Sequence, residues 1–345
     1  MPHPSDDSLM MRTVRCEPTD GVPVWLMRQA GRYMPEYRAV RERVSFLELC
    51  KNPSLAAEVM LTAVNRLGVD AAIIFSDILL ILEPMGFSLE FLPEGGPRIG
   101  RPLRDPSKVK NVTELPNADS LGFVMDVVRY TREGLDSRLP LIGFAGAPFT
   151  LAAYAVEGDS SRDFRNVKAF MYLYPDEWAE LMKKFARSTA RYLNAQIDAG
   201  VQIVQLFDSW VGCLSEADYK KFVQPYSKMV CDLIGPGTPI IHFAPGNSWL
   251  LPAVRDAGGH VIGLDWRLDI DKAWEVIGHD YAVQGNLDPT ILLTNPEIIR
   301  RQVQHILRLV ERRPGFVFNL GHGILPQTPV ENAIALVEAV KGFNR

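Results

Sequence analysis

Eight short apolar runs, rich in β-branched and aromatic residues, recur along the chain and are separated by segments with helical periodicity. Runs that are apolar throughout, without polar alternation, are typical of parallel strands covered on both faces. Strands that alternate with helices predict either a closed barrel or an open, doubly wound sheet. The eight predicted strands are Val24–Met27, Ala72–Phe75, Leu141–Ala145, Ile203–Phe207, Pro239–Phe243, Val261–Leu264, Ala282–Gln284 and Phe316–Asn319.

Four long segments between these runs predict helices, because each begins with capping residues, a proline or early acidic residues. The predicted helices are Asn52–Leu67, Asp176–Ala199, Ser215–Ile234 and Pro296–Glu311. Together with the strands, they indicate repeated strand–helix units along most of the chain.

A (β/α)₈ TIM barrel in a single α/β domain is the favoured fold. A dinucleotide-binding sheet would need G-x-G-x-x-G after an early strand, and the sequence has none. We expect the barrel to span residues 21–345 and residues 1–20 to form a flexible N-terminal tail. The stretch Leu79–Arg104 is too long and too rich in glycine and proline for a simple loop, so it predicts an excursion with a small hairpin.

Composition and charge argue against several classes of partner. The net charge is −4 and the pI is about 5.9, which disfavours a surface for nucleic acid or anionic membranes. No stretch approaches the roughly 18 apolar residues of a membrane span, and the N-terminus lacks the apolar core of a signal peptide. Four widely spaced cysteines without a C-x-x-C, and no His/Cys cluster, predict a cytoplasmic protein without disulfides or a metal site.

Polar and glycine-rich residues follow most of the predicted strands, where a barrel carries its chemistry. They could be ordinary loop residues, because strands must end and loops are polar. That interpretation explains the glycines, but it does not explain Arg28 and Arg32 at the end of the first run. Nor does it explain Asp77 inside the apolar stretch 71–82.

Asp77 is the most unusual of these residues. A carboxylate among apolar neighbours must be paired or hydrogen-bonded, since an isolated buried charge costs several kcal/mol. Asp77 could therefore be a structural ion pair or a helix cap. The functional alternative is a fixed anion that receives a positive or NH-rich ligand.

Arg28 and Arg32 flank the turn Gln29-Ala30-Gly31. Arginine suits carboxylates and phosphates because its planar fork presents paired donors, and Gly31 allows a close backbone approach. Further along, Arg38, Arg41 and Arg43 lie on an amphipathic segment, where a solvated helix face explains Arg38 and Arg43 better than a ligand does. The arginines predict a polyanionic ligand that carries carboxylates.

Three other polar residues follow predicted strands and remain open in role. His322 lies between two glycines, so its ring is accessible, although a lone histidine is usually structural. Tyr154 and Ser209 could donate hydrogen bonds to a ligand or could serve packing and turn formation.

Several long motifs, in the same order along the chain, resemble those of the uroporphyrinogen decarboxylase family. Residues 23–38 (PVWLMRQAGRYMPEYR) resemble its N-terminal signature, and residues 141–150 (LIGFAGAPFT) resemble a second one. Shorter matches lie at residues 71–79, 261–266, 284–289 and 319–323. The resemblance covers nearly the whole chain from Pro23 onward.

The resemblance implies a (β/α)₈ barrel, typically a homodimer whose active-site clefts face one another. The implied reaction removes four acetate carboxyls from uroporphyrinogen III to give coproporphyrinogen III, in heme and chlorophyll biosynthesis, without a metal or organic cofactor. The substrate is a small molecule. The implied site residues are Arg28, Gln29, Ala30, Gly31, Arg32 and Arg41 for substrate binding, Asp77 facing the pyrrole NH groups as the catalytic residue, and Tyr154, Ser209 and His322 contacting substrate side chains.

Two other functions are compatible with such a chain. Corrinoid-related methyltransferases share this kind of barrel, but they carry a His-x-Cys zinc pair, and here His242 is followed by Phe243 and Ala244. A tetrapyrrole-binding protein without activity is a second alternative. The presence of both arginines and Asp77 argues against it.

Overall fold

The strands form a curled parallel sheet and one separate hairpin. The computed structural model describes residues 3–92, 96–159, 161–246, 248–311 and 313–343. Seven strands are hydrogen-bonded in parallel in the order β1-β4-β5-β6-β7-β8-β9. The strands are β1 (Ala72–Ile73), β2 (Leu89–Leu92), β3 (Gly96–Ile99), β4 (Leu141–Gly146), β5 (Ile203–Phe207), β6 (Ile240–Phe243), β7 (Val261–Gly263), β8 (Ala282–Leu287) and β9 (Phe316–Leu320).

The strands of this sheet are buried on both faces, as their apolar runs predict. Every residue of β4, β6, β8 and β9 is buried. Each strand pairs with the next in chain order, for example Ile142 with Ile203 and Val283 with Phe316. This sequential parallel order is that of a TIM-barrel-like α/β domain, so the predicted fold class is confirmed.

The segment expected as the first strand, Val24–Met27, is not a regular strand. Val24 forms a single parallel bridge with Phe318 of β9, and the Asp70 N–H donates to the Val24 carbonyl at 2.8 Å. The segment therefore lies between β9 and the start of β1. It does not form a ladder because side chains accept its N–H groups: Asp70 accepts from Val24 at 2.9 Å and Asn319 from Met27 at 3.1 Å.

Helices follow the strands and cover the sheet. They are α1 (Leu9–Val14), α2 (Pro35–Arg41), α3 (Phe46–Cys50), α4 (Pro53–Leu67), α5 (Gly122–Gly134), α6 (Pro148–Glu157), α7 (Arg165–Leu173), α8 (Pro175–Ala199), α9 (Glu216–Phe222), α10 (Gln224–Leu233), α11 (Leu251–Ala257), α12 (Ile270–Ile277), α13 (Pro296–Leu309) and α14 (Val330–Lys341). None of the helices in the described ranges combines the length and the apolar composition needed to cross a bilayer.

The predicted helix boundaries hold where a cap defines them. Asn52 and Asn295 accept hydrogen bonds from the N–H groups three residues later, at 3.3 and 3.0 Å, at the starts of α4 and α13. The helix predicted over Ser215–Ile234 is instead two helices, α9 and α10, which meet at Val223. Pro225 explains the break, because proline is accepted in a first helical turn but interrupts a helix interior.

The excursion predicted within Leu79–Arg104 is present. Strands β2 and β3 form an antiparallel pair outside the main sheet, with Leu89 opposite Ile99.

The N-terminal segment differs from the flexible tail expected over residues 1–20. Within it, α1 buries Met10, Met11 and Val14, and its N-cap Ser8 accepts a hydrogen bond from the Met11 N–H. The spacing of these apolar residues places them on one face of the helix, which packs near β9. The described part of this segment is therefore packed against the barrel.

Candidate active site

One end of the barrel collects the polar residues singled out in the sequence. Parallel strands place all their carboxyl ends at the same end of a barrel. Asp77 follows β1, Ser209 follows β5, and His322 follows β9. The carboxyl ends of the strands therefore form the candidate active site.

Asp77 is half-buried, but the apolar residues from Leu79 to Leu82 are almost fully buried. Burial raises the pKa of Asp77 from its ordinary 3.8 to about 6, and the positive charge of Arg28 opposes this rise only in part. The carboxylate accepts one hydrogen bond, at 2.9 Å from the Leu79 N–H. Within the described ranges it has no ion pair at 4.0 Å or less. Asp77 is thus a largely desolvated carboxylate without a structural counter-ion.

Arg28 has a left-handed backbone conformation with φ +63°. A Cβ on Gly31 would lie 2.9 Å from the Arg28 carbonyl oxygen, so the tight turn requires glycine there. A Cβ on Gly323 would lie 2.5 Å from the Arg28 Cδ, so the guanidinium stem passes directly over Gly323. The charge of Arg28 lowers the pKa values of both Asp77 and His322, so it acts on both residues electrostatically.

A polar chain inside the barrel holds the segment that leads to Arg28. The Trp25 indole N–H donates to Gln284 Oε1 at 2.9 Å, and Gln284 Nε2 donates to Gln205 Oε1 at 3.1 Å. All three residues are buried. Buried polar groups require partners, so this chain fixes the orientation of Trp25 and limits the movement of Arg28.

His322 is a neutral hydrogen-bond donor in this site. Burial is the largest influence that lowers its pKa to about 4, followed by the charges of Arg28 and Arg267, while Asp265 acts in the other direction. Its Nδ1 accepts from the Gly323 N–H at 2.8 Å. The neutral ring therefore carries its proton on Nε2, and this N–H is the group that His322 can offer to a ligand.

Tyr154 lies on α6 and is also protonated. Burial, and next the charge of Asp77, raise its pKa to about 12. Its ring packs edge-on against Trp210, with ring centroids 5.9 Å apart. Tyr154 therefore provides a phenol O–H close to Asp77.

Ser209 is half-buried and stands between Trp210 and the fully buried Asp208. The Asp208 carboxylate accepts from Thr150 Oγ1 at 3.4 Å and from Ser227 Oγ at 3.3 Å. Thr150 lies one turn before Tyr154 on α6. Asp208 therefore ties the end of β5, which carries Ser209, to the helix that carries Tyr154.

The remaining predicted residues are not all in this cluster. Arg32 is exposed, and its charge is among those that affect the pKa of the Tyr37 hydroxyl. Arg41 donates to the Val44 carbonyl and lies 5.8 Å from the centroid of the Phe46 ring. Arg32 and Arg41 thus lie on the segment that carries Tyr37.

Gln29 has a structural environment. Its side chain accepts from the Leu26 N–H and donates to the Ala71 carbonyl, both at 3.2 Å, and it is fully buried. Ala30 is 8% exposed and Gly31 is half-buried. Any ligand contact from this turn would thus come from its backbone and from Ala30.

A wall of aromatic rings was not anticipated from the sequence. Centroid distances are 5.6 Å from Phe144 to Phe207, 5.9 Å from Phe207 to Phe243, and 6.3 Å from Phe243 to His322. Phe207 and Phe243 are the last residues of β5 and β6, where an apolar residue at a strand end is the available sequence signal. Such a wall suits the face of an aromatic ligand.

The loop after β7 also contributes groups that the sequence reasoning overlooked. Asp265 and Arg267 form an ion pair at 2.6 Å, and both charges affect the pKa of His322. Their signal was available in the sequence, since a carboxylate and an arginine directly follow a predicted strand. Among the described residues, no group of three or more His, Cys, Asp or Glu side chains could hold a metal ion.

Comparison with known proteins shows the family of the chain. The family model described as uroporphyrinogen decarboxylase (URO-D) matches residues 5–343. A protein of Carboxydothermus hydrogenoformans named uroporphyrinogen decarboxylase is 52% identical over 331 residues, which cover 96% of this chain and 95% of the relative. A Sorangium cellulosum protein of the same name is 50% identical over 336 residues, covering 97% and 96%.

A solved structure shares the fold. The methyltransferase from Methanosarcina mazei superposes with a TM-score of 0.83 and covers 97% of this chain and 98% of its own, at 20% sequence identity. At that identity the likeness concerns the fold alone.

Proposed function

Since the chain belongs to the uroporphyrinogen decarboxylase family, we propose that it is the carboxy-lyase that converts uroporphyrinogen III to coproporphyrinogen III by removing the four acetate carboxyls. The reaction belongs to tetrapyrrole biosynthesis. The observation that carries this assignment beyond the family is the cluster at the barrel mouth. There, Asp77 is a desolvated carboxylate, and its charge and that of Arg28 both influence the pKa of the Tyr154 phenol.

The substrate itself supplies the electron sink for this reaction. Protonation of the pyrrole α-carbon next to the acetate-bearing carbon leaves a cation delocalised over the acetate-bearing carbon and the ring nitrogen. The electrons of the breaking C–CO₂ bond then form an exocyclic double bond. Protonation of the exocyclic CH₂ and loss of the α-proton restore the pyrrole and leave a methyl group. No organic cofactor or metal is needed for this sequence of steps.

Asp77 is proposed to face the pyrrole NH groups and to stabilise this cation. An anion that is already fixed and desolvated stabilises developing positive charge without reorganisation, an effect typically worth about 3 kcal/mol. Tyr154, whose pKa the Asp77 charge raises, is available as a donor to a substrate carboxylate, and the half-buried Phe207, which packs on the buried Phe243, offers an apolar surface for the ring.

The substrate carboxylates are proposed to bind Arg28, Arg32 and Arg41, with Ala30 and Gly31 lining the approach. Ser209 and the His322 Nε2–H would donate further hydrogen bonds. We assign His322 to binding because a histidine with a pKa near 4 is uncharged at neutral pH and is a weak proton donor there. The group that protonates the ring is left unassigned.

We also propose that the protein is a cytoplasmic homodimer. Cys16, Cys50, Cys213 and Cys231 are all free thiols, as suits a reducing compartment. Trp249 follows β6 at the same end as the site and is 70% exposed, which is unusual for a tryptophan and suits an interface. Light scattering should give twice the 38.6 kDa mass of the chain; a mass equal to one chain would contradict the dimer.

The methyltransferase alternative is disfavoured by the environment of His242. Its Nδ1 lies 3.1 Å from the Gly258 carbonyl, and the residue is fully buried. No cysteine follows it at the position of a His-x-Cys zinc pair.

Anaerobic incubation of the purified chain with uroporphyrinogen III tests the proposal directly. After oxidation, chromatography should resolve porphyrins with seven, six, five and four carboxyls in order of appearance. The Asp77→Asn variant provides the matched control, because it keeps the shape of the side chain and removes its charge. Recovery of the eight-carboxyl compound alone from the wild-type protein would reject the proposed function.

A further inference from the structure

We infer that Arg267, in the loop after β7, is an additional substrate-binding residue that holds a carboxylate arm of the tetrapyrrole. The inference rests on the proposed function and adds a specificity-determining cation to the same site. Arg28, Arg32 and Arg41 all belong to one short segment of the chain. A macrocycle with carboxylates around its whole edge needs cations on more than one side, and Arg267 comes from a different part of the barrel.

The loop after β7 holds Arg267 in a defined orientation. The Asp265 carboxylate accepts from the Arg267 N–H at 2.9 Å and from its Nη1 at 2.6 Å, and it also accepts from the Gly246 N–H at 2.6 Å. The Asp265 side chain is 7% exposed and that of Arg267 is 49% exposed. The carboxylate of this pair is therefore buried, and the guanidinium is exposed to solvent.

The indole of Trp266 supports the guanidinium, whose carbon lies 4.5 Å from the ring centroid. Stacking on an aromatic face restricts the arginine side chain and leaves its edge free to donate. Within the described ranges, the hydrogen bonds of this guanidinium are confined to Nη1. The Nη2 and Nε donors thus remain for a ligand.

The loop after β7 lies against the loop that carries His322. A Cβ on Gly321 would lie 2.6 Å from the Trp266 nitrogen, so the two loops meet backbone to backbone. Arg267 and His322 each follow this contact by one residue. The influence of the Arg267 charge on the pKa of His322 agrees with this placement. A substrate carboxylate that accepts a hydrogen bond from His322 would therefore lie close to the guanidinium of Arg267.

The chain contains a matched pair without such neighbours. Arg138 donates its N–H to Asp136 Oδ1 at 2.9 Å and its Nη2 to Asp136 Oδ2 at 2.7 Å. The residue spacing and the bond from the backbone N–H are those of Asp265 and Arg267, although Arg138 also donates its Nε to Asp136 Oδ1 at 3.2 Å. However, the pair precedes β4, at the amino end of the barrel, and its side chains are 43% and 81% exposed. Arg138 is therefore the control for loss of an arginine held in this manner.

Steady-state kinetics with uroporphyrinogen III should separate the two arginines. Arg267→Gln should raise KM about tenfold, the loss of one charge-assisted hydrogen-bonded contact, and change kcat by less than about twofold. Arg267→Lys keeps the charge but loses the fork, and its KM should rise about threefold. Arg138→Gln should have the KM and kcat of the wild-type protein.

A readout without turnover tests the same placement. In an NMR titration, with His322 assigned by its loss in His322→Gln, the pKa of His322 should rise in Arg267→Gln and stay unchanged in Arg138→Gln. A wild-type KM in both Arg267 variants, or an unchanged His322 pKa in Arg267→Gln, would overturn the inference. The proposed function would fail separately, by absence of decarboxylation in the wild-type protein.

Discussion

Charged residues have different environments at the two ends of the barrel. At the carboxyl end of the strands, burial moves the pKa of Asp77 up to about 6 and that of His322 down to about 4. At the amino end, charges are paired: Lys341 lies 2.9 Å from Asp70, whose other oxygen accepts from the Val24 N–H. Asp77, at the carboxyl end, has no ion pair within 4.0 Å in the described ranges, whereas Asp70 and Lys341, at the amino end, form an ion pair that fastens the chain.

A cavity lies at the end of the barrel opposite to the candidate active site. A hollow of about 520 Å³, lined by Arg66, Gly68, Glu338 and Lys341 among others, lies where α4 and α14 end, at the amino end of the barrel. Its arginine is already paired with Glu36. The candidate active site is therefore distinguished by desolvated ionisable groups and not by empty volume.

The largest effect is expected from removing the charge of Asp77. Asp77→Asn should lower kcat by about 100-fold to 1000-fold, because the anion no longer stabilises the pyrrole cation. Single-turnover assays with uroporphyrinogen III would measure this, with circular dichroism to verify the fold. A nearly wild-type kcat in Asp77→Asn would show that the charge at the carboxyl end has no larger effect on turnover than the charges at the amino end.

The same substitution should stabilise the protein at neutral pH. Because the folded pKa of Asp77 is about 6 and its ordinary value is 3.8, the folded state binds this proton more tightly than the unfolded state. The stabilisation that this proton gives to the folded state is complete below pH 3.8 and is lost as the pH rises through about 6. At pH 7, ionised Asp77 therefore lowers the free energy of unfolding by up to roughly 3 kcal/mol. Urea unfolding at pH 7 and pH 3.5 would measure the gain in Asp77→Asn and its disappearance in acid.

At the amino end, Met10→Ala should act on stability and not on turnover. Met10 is fully buried where α1 covers the barrel. Its truncation should lower the free energy of unfolding by about 2–4 kcal/mol through the lost apolar contacts and the remaining cavity. Denaturant titration measures this, and kcat at a temperature where the variant is folded should stay the same. Unchanged stability would mean that the N-terminal segment behaves as a tail after all.

The pH dependence of kcat/KM should sharpen the assignment of Asp77. This ratio reports ionisations of the free enzyme, so it should fall about tenfold per pH unit below pH 6 as Asp77 becomes protonated. The decline near pH 6 should be absent from the residual activity of Asp77→Asn. An activity limb near pH 4 instead would assign the essential ionisation to His322.

The smallest effect is expected from the exposed ion pair at the amino end. The side chains of Lys341 and Asp70 are 44% and 18% exposed, and Lys341→Met should cost about 1 kcal/mol of stability or less. Thermal unfolding at low and high salt would measure it. A loss of decarboxylation in this variant would show that the two ends are coupled.

Much of the fold followed from local patterns in the sequence. The apolar run predicted as Ile203–Phe207 is a strand with the same bounds, and α4 and α13 begin after the predicted capping residues Asn52 and Asn295. Such signals are local because a strand run or an N-cap involves neighbours within a few residues. Strand ends could therefore be located, and with them Asp77 and His322.

Only the tertiary structure decided what those residues do. Val24–Met27 did not become a regular strand because Asp70 and Asn319, 46 and 292 residues from their partners, accept its N–H groups. Gln29 turned out to be a core residue, and the loop of Arg267 was found against the loop of His322, through contacts between distant segments. The sequence by itself determined where strands and helices begin. Pairing and desolvation depend on which distant segments meet, so the final geometry of the charges came from the folded chain.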